Sequence, residues 1–163
     1  MGSIMKRRSI RQYTNQTVSD EQIKILLETA MCAPSAGNEQ PWHFVVIKDR
    51  QLLDEVPKYH PHSGMIKQAS AAILVCADPN LNKFDVDYWV QDCAAATENL
   101  LLAVTELGLG AVWLGVYPRP ERLAGLRQLF HIPEEVIPFA LVPSGLSFLY
   151  THPFLFTCLA LAI

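Results

Sequence analysis

The run 71–77, AAILVCA, is continuously apolar. Successive side chains of a β-strand point to opposite faces of the sheet, so a strand of this composition is covered on both faces. The run therefore predicts an inner strand between two layers of other elements. A chain of 163 residues fits one domain, and a domain of about this size buries roughly 68–70 % of its unfolded surface, enough for such a core.

Helical patterns surround this strand. Ser19 and Gln22 predict a capping box at the start of a helix over about 20–32. An apolar stripe predicts a longer helix over about 85–107, ended by a left-handed Gly108, with flanks apolar enough for an interface as well as a core. Strands and helices do not alternate strictly, which predicts the α+β class. The remaining patterns predict strands over 43–47, 110–116 and 136–142 and a helix over 120–130.

Composition excludes several classes of function. The net charge of −3 and the pI near 5.9 argue against a nucleic-acid binder, because such domains concentrate positive charge. The basic N-terminal residues precede no apolar run long enough for a secretory signal, so we expect a cytoplasmic protein. No C-x-x-C pair occurs, so we expect neither a zinc site nor a dithiol centre. Free, mostly buried thiols are expected at Cys32, Cys76, Cys93 and Cys158.

A dense basic run lies near the N-terminus. Arg7, Arg8 and Arg11 surround Ser9 within five positions. Guanidinium groups are planar forked donors that suit a phosphate dianion, and the hydroxyl adds a further donor. The run is therefore a candidate phosphate site. The alternative is a solvated basic surface, which is the usual role of charge runs.

A loop of small and polar residues follows the first long helix. Residues 34–42 read PSAGNEQPW and lead into the strand at 43–47. Such a loop can lie along a flat ring system. The alternative is an ordinary helix stop, in which Pro34 and Gly37 break the helix and Trp42 anchors the core.

These two motifs, in this order and spacing, resemble those of the nitroreductase family of FMN-dependent NAD(P)H oxidoreductases. The resemblance continues more weakly to about Val142. It implies a nitroreductase-like fold with a central, mainly antiparallel sheet flanked by helices. It also implies a homodimer with FMN at the subunit interface.

The resemblance also implies which residues contact the cofactor. Arg7, Arg8, Ser9 and Arg11 would hold the FMN phosphate and the ribityl end. Backbone groups of Leu114 and Gly115 would face the flavin's central ring, where an N–H donor stabilises the charge of the reduced ring. The loop residues that would approach the ring edge and the ribityl chain, often from the second subunit, are Pro34, Ser35, Ala36, Gly37, Asn38 and Gln40.

The implied activity is hydride transfer from NADH or NADPH, through FMN, to an electron-poor small molecule such as a nitroaromatic, a quinone or an enone. The flavin carries the chemistry, so no residue is expected as an obligatory acid or base. One alternative is a flavin-binding module without turnover, for storage, sensing or regulation. A second is a reductive dehalogenase or a flavin-fragmenting enzyme, for which the short connection 78–85 leaves little room for a lid.

Other polar residues are expected to be structural. His60 and His62 have no third ligand at sensible spacing, which favours a solvated loop over a metal site. Asp85, Asp87 and Asp92 are expected on the charged face and first turn of the long helix.

The chain departs from the family pattern after Val142. No Asp, Glu, Lys or Arg follows Glu135, so the family's final basic phosphate ligand has no counterpart. We therefore divide the chain into an FMN-binding domain, 1–142, and an apolar tail, 143–163. The tail is too interrupted by proline for a membrane span of about 20 residues, which leaves an arm docked in a dimer groove or an aberrant end. Both alternatives predict weaker FMN retention.

Overall fold

The structure, a computed structural model, describes residues 2–147. Its helices are α1 (Gly2–Lys6), α2 (Asp20–Met31), α3 (Arg50–Glu55), α4 (Trp89–Glu106) and α5 (Pro120–Phe130), and its strands are β1 (Trp42–Ile47), β2 (Ala71–Ala77), β3 (Leu109–Ala111), β4 (Leu114–Gly115) and β5 (Ile137–Leu146). The strands form one sheet in the order β1-β2-β5-β3, and β4 also pairs with β5. Each of these pairings is antiparallel, which confirms the expected α+β sheet with flanking helices.

Strand β2 is covered on both faces, as its composition predicts. All of its residues are buried. Leu74 points into a core cluster that includes Leu126 of α5, whereas its neighbour Ile73 points into a cluster that includes Leu100 of α4. The sheet therefore separates two apolar layers, with α3 and α5 on one face and α2 and α4 on the other.

Helix α2 begins with the predicted capping box. The Gln22 backbone N–H donates to Ser19 Oγ at 3.2 Å, and the Ser19 N–H donates to Gln22 Oε1 at 3.0 Å. This reciprocal pair satisfies two of the N–H groups that a helix start leaves without partners. The predicted end near residue 32 is also confirmed, because Cys32 is the C-cap.

Helix α4 is shorter than predicted. It begins at Trp89 rather than at residue 85, and it ends before the predicted left-handed Gly108, which has φ of 68°. Asp87 Oδ1 accepts a hydrogen bond from Trp89 Nε1 at 3.0 Å, and Tyr88 N donates to Val86 O at 2.8 Å. These contacts hold the preceding segment in a turn. Asp85 and Asp87 therefore lie before the helix, not on its charged face.

The strand predicted over 110–116 is divided into β3 and β4. Ala111 faces Ser144 and Leu114 faces Leu141, so the same register would place Val112 opposite Pro143. Proline has no N–H to donate, and the ladder is interrupted at that point. The proline in the partner strand is the physical reason for the break.

The strand predicted to end at Val142 extends to Leu146, so the expected end was wrong. Val142 and Ser144 pair with Ile73 and Ala71 of β2, and this ladder continues past Pro143 because the missing N–H faces the gap between β3 and β4. The predicted boundary at 142 thus falls within β5. The expectations for the tail from 148 onward, and for Cys158, lie outside the described residues.

Gly125 of α5 provides a test of the packing between α5 and the turn that carries Tyr59. A Cβ at Gly125 would lie 2.3 Å from Tyr59 Cδ1. We predict that Gly125→Ala lowers the free energy of unfolding by about 1–3 kcal/mol in urea denaturation, because overpacking outweighs the gain in helix propensity of about 1 kcal/mol. The cost should shrink in a Tyr59→Ala background. A Gly125→Ala variant as stable as wild type would contradict this packing, and Ala124→Ser on the exposed face is the control.

Candidate functional site

The basic run lies between α1 and β3. Arg7 Nε is 3.4 Å from Glu98 Oε1 on α4, and Ser9 forms a parallel bridge with Ala111 of β3. The run is therefore held by one ion pair and by its own backbone. Its position next to β3 depends on the sheet, since Ala111 is placed by β5.

Two guanidiniums and a hydroxyl of this run face solvent. Arg8 caps α1, with Nη1 donating to the carbonyls of Met5 and Arg7 at 2.9 and 2.8 Å. Arg11 forms no ion pair with another described residue. The exposed set of Arg8, Ser9 and Arg11 has the donor chemistry that a phosphate dianion requires.

The small-residue loop has a constrained backbone. Gly37, Asn38 and Gln40 have φ of 53°, 55° and 50°. Glutamine rarely adopts this left-handed region, so its presence marks a loop held in a definite shape by its surroundings. Ser35 Oγ closes the loop by accepting a hydrogen bond from Gln40 N at 3.0 Å.

Contacts from outside hold the same loop in place. Lys83 Nζ donates to Gly37 O at 2.6 Å, and the Phe84 ring lies against Gly37, where an added Cβ would be 3.0 Å from Phe84 Cε2. Pro34 is exposed at the start of the loop, and Trp42 at its end is buried, as a core anchor should be. The loop thus combines an ordinary helix stop with an exposed, shaped backbone.

Asp92 lies in the first turn of α4, as predicted, but it is buried and anchors this loop instead of lying on a charged face. It is 5 % exposed, and its Oδ1 accepts a hydrogen bond from Ala36 N at 3.0 Å. The buried Glu39 accepts from Lys83 N. The second oxygen of each carboxylate, Asp92 Oδ2 and Glu39 Oε2, is buried and has no hydrogen-bond partner among the described residues. Burial, and next the charge of Glu39, raise the pKa of Asp92, although the Ala36 hydrogen bond opposes this.

The backbone N–H and C=O of Gly115 point away from the neighbouring strand β5. Leu114 pairs with Leu141, and Val116 N donates to Phe139 O at 3.1 Å, so both neighbours face β5. Backbone groups alternate in direction along an antiparallel ladder, and the N–H and C=O of Gly115 therefore point away from β5. A Cβ at Gly115 would meet no atom of the described residues within 4 Å, so the sheet face at this residue is open.

The carbonyl of Gly115 is held by two side chains that the sequence did not single out for this role. Arg122 Nη1 donates to it at 2.7 Å, and His60 Nε2 lies 3.1 Å away. The expected solvated loop is wrong for His60, which is 2 % exposed, although His62 is exposed. His60 differs from His62 because its ring lies against Gly115 of the edge strand β4.

The two motifs attach to different faces of α4. The basic run contacts Glu98, and the small loop contacts Asp92. Six helical residues correspond to about 9 Å along the axis and a rotation of about 120° between the two faces. A single chain thus presents the two motifs on separate surfaces.

One signal in the sequence could have identified Asp92. It lies between Trp89 and Ala96 at helical spacing, on the apolar stripe, where a carboxylate needs a partner. The contacts of His60, Arg122 and Lys83 have no such signal, because each depends on tertiary packing.

The remaining sequence expectations concern thiols, metals and membranes. Cys76 and Cys93 are free and buried, and burial raises the pKa of each thiol to about 12, whereas Cys32 is exposed. Within residues 2–147, no three His, Cys, Asp or Glu side chains are grouped as metal ligands. Over the same range, no helix has the length and apolar character needed to cross a membrane.

The buried hydrogen bond between Asp92 and Ala36 gives a testable pair of variants. We predict that Asp92→Ala lowers the free energy of unfolding by about 1–3 kcal/mol, because Ala36 N–H loses its acceptor. Asp92→Asn keeps an acceptor oxygen and removes the buried charge, so it should be at least as stable as wild type at pH 7.

The pH dependence of the same variants provides the control. A raised pKa means that ionised Asp92 destabilises the fold as pH rises above its ordinary value of 3.8. Urea denaturation between pH 3.5 and pH 7 should show that this loss is absent from Asp92→Asn. Equal stability of Asp92→Ala and wild type would contradict the anchoring role.

The family model "Nitroreductase family" matches residues 4–63 and 57–145 of this chain. The chain is 56 % identical over 142 residues to a candidate NADH dehydrogenase/NAD(P)H nitroreductase of Archaeoglobus fulgidus, covering 87 % of this chain and 82 % of that protein.

Solved structures agree with this match. A candidate NADH oxidase from Clostridium acetobutylicum has a TM-score of 0.84 at 43 % identity, covering 88 % of this chain and 86 % of that one. A candidate nitroreductase from Desulfovibrio desulfuricans, solved in complex with FMN, has a TM-score of 0.79 at 32 % identity, covering 97 % and 91 %. The sheet order, the flanking helices and these matches together show that the chain belongs to the nitroreductase family.

Proposed function

We propose that this chain is an FMN-dependent oxidoreductase that takes a hydride from NADH or NADPH and delivers it to an electron-poor acceptor such as a nitroaromatic, a quinone or an enone. The bridge between Ser9 and Ala111 is the observation that carries the proposal. Gly115 follows Ala111 by four positions, so their Cα atoms are at most about 14 Å apart. Donors for a phosphate and a backbone N–H for a ring thus lie close together.

The residues present fit FMN at both ends of this arrangement. Arg7, Arg8, Ser9 and Arg11 would hold the phosphate through charge-assisted hydrogen bonds. The N–H of Gly115 points away from β5, where a donor would stabilise negative charge on a ring. Bound FMN supplies the redox chemistry, and the protein supplies binding and backbone polarisation, so no side chain is assigned as acid or base.

The relatives support the choice of cofactor and hydride donor. FMN is bound in the Desulfovibrio desulfuricans structure, and the name of the Archaeoglobus fulgidus protein includes NAD(P)H. The choice between NADH and NADPH, the natural acceptor and the cytoplasmic location stay predictions.

We infer that the site is completed by a second copy of the chain. The small loop and the basic run lie on different faces of α4, so a partner's loop is needed beside the basic run. Ten of the 18 residues of α4 are buried within the chain, which leaves little of its apolar surface for an interface. Large exposed apolar side chains lie elsewhere, near the basic run and near the loop, at Ile4, Met5, Met31, Phe84, Val86 and Tyr88.

Flavin binding tests the proposal directly. Purified protein titrated with FMN should become yellow and show saturable quenching of flavin fluorescence. We predict that Arg11→Ala weakens FMN binding at least tenfold, because a charge-assisted hydrogen bond contributes about 1.5–3 kcal/mol. Lys24→Ala removes an exposed positive charge on α2 and should leave affinity unchanged. Wild-type protein that shows no saturable quenching with added FMN and retains no flavin after gel filtration would end the proposal.

Turnover separates an enzyme from a flavin-binding module. Anaerobic addition of NADH or NADPH to the FMN-loaded protein should bleach the flavin absorbance, and a nitroaromatic or a quinone should restore it. Persistent absorbance with both nicotinamides would favour storage, sensing or regulation instead.

Subunit complementation tests the shared site. We predict that the double variant Arg8→Ala/Arg11→Ala and the variant Gly37→Val each bind FMN weakly, the second because valine is strained at φ of 53°. Mixed and reassembled, they should recover up to one intact site per heterodimer, read as flavin bound per dimer by native mass spectrometry. A site built within one chain predicts no recovery, and so does a monomer that is already saturated with FMN.

A further inference from the structure

The Gly115 carbonyl lies at the meeting point of three separate elements. Arg122 of α5 donates to it at 2.7 Å, and His60, in the turn after residues 56–58, approaches it at 3.1 Å. The two side chains are themselves 3.3 Å apart, between Arg122 Nη1 and His60 Nε2. We call Arg122, His60 and the Gly115 carbonyl the carbonyl clamp.

Arg122 and His60 contact the outer edge of β4, the position at which a further strand would pair. Within the described sheet, β4 pairs only with β5, so its outer edge has no neighbouring ladder. Two-residue strands are weakly held, and glycine adds backbone freedom. Arg122 donates to the Gly115 carbonyl and His60 contacts it, so together they orient the peptide between Gly115 and Val116. The Gly115 N–H belongs to the preceding peptide and leaves the same edge of the strand, so a fixed carbonyl limits the conformations open to it.

The surroundings of His60 favour its neutral form. Burial lowers the pKa of His60 and outweighs the Gly115 hydrogen bond, which raises it, while the charge of Arg122 lowers it further. The charged or titratable groups that face it are Arg122 from α5 and His62 from its own turn, at 6.3 Å between ring centroids. A proton on His60 would place a second cation beside Arg122, and His60 Nδ1 has no partner in the described residues.

We propose that Arg122 and His60 are positioning residues for the flavin, holding the Gly115 carbonyl so that the Gly115 N–H stays directed toward the FMN ring. This inference rests on the proposed function, since it requires FMN at this edge. Arg122 also brings a permanent positive charge to the same peptide. A positive charge favours the reduced ring over the oxidised ring, because the reduced ring carries more negative charge.

The experiment compares FMN-loaded wild type with Arg122→Met, Arg122→Lys, His60→Gln and the control Arg119→Met. Arg119 is exposed at the start of the same helix. We expect Arg122→Met to weaken reduced FMN about tenfold more than oxidised FMN, a change in the two-electron midpoint potential of about −30 mV. Arg122→Lys should recover part of this difference, and Arg119→Met should match wild type.

The His60 variant supplies a readout that a merely structural residue would not change. A glutamine amide can donate to the Gly115 carbonyl, so His60→Gln should bind FMN as wild type does at pH 7.5. Wild type should lose FMN affinity as pH falls below 6.5, because His60 then becomes protonated at a buried position that disfavours the charged form. His60→Gln should lose less affinity over the same range.

The outcomes separate the two proposals. A wild-type chain that binds no FMN overturns the proposed function and this inference with it. If wild type binds FMN but Arg122→Met has an unchanged affinity and midpoint potential, the proposed function stands and the clamp is wrong. The clamp is also wrong if His60→Gln and wild type share one pH profile. If Arg122→Met does not fold, Arg122→Lys and His60→Gln decide the question.

Discussion

The pairing of β5 with strands on both of its sides is the constraint on which the rest of the structure depends. On one side β5 extends the buried ladder of β2, and on the other it holds β3 and β4. Pro143 interrupts only the second ladder, because its missing N–H faces Val112 rather than β2. The interruption leaves β4 as a short edge strand. As a consequence of this arrangement, the N–H and C=O of Gly115 point away from β5.

Helix α4 organises the other half of the candidate site. It packs against the sheet through most of its length, and its polar residues hold the two motifs at different heights and on different faces. A helix is rigid on this scale, so the two motifs cannot be brought together by bending it. Under the proposed function, a ligand that touches both motifs would need a second chain, and cofactor binding would then depend on assembly.

Several elements could be predicted because their causes are local. The capping box of Ser19 and Gln22, the left-handed Gly108 and the α5 helix depend on residues within a few positions of each other. The errors had a local and a distant cause. Helix α4 starts late where Asp87 accepts a hydrogen bond from the Trp89 indole two positions on, whereas the strand at 110–116 is divided by a proline in a different strand.

The amino-acid sequence by itself determined the inner strand and the capped helix, because apolar periodicity and capping residues act through local chemistry, and its two motifs carried the resemblance to the family. The tertiary structure alone decided that Asp92 anchors the small loop, that His60 is buried, and that Arg122 meets the Gly115 carbonyl. The physical reason is that a hydrogen bond between distant residues depends on how whole helices and strands pack. The spacing of residues along the chain does not predict that packing.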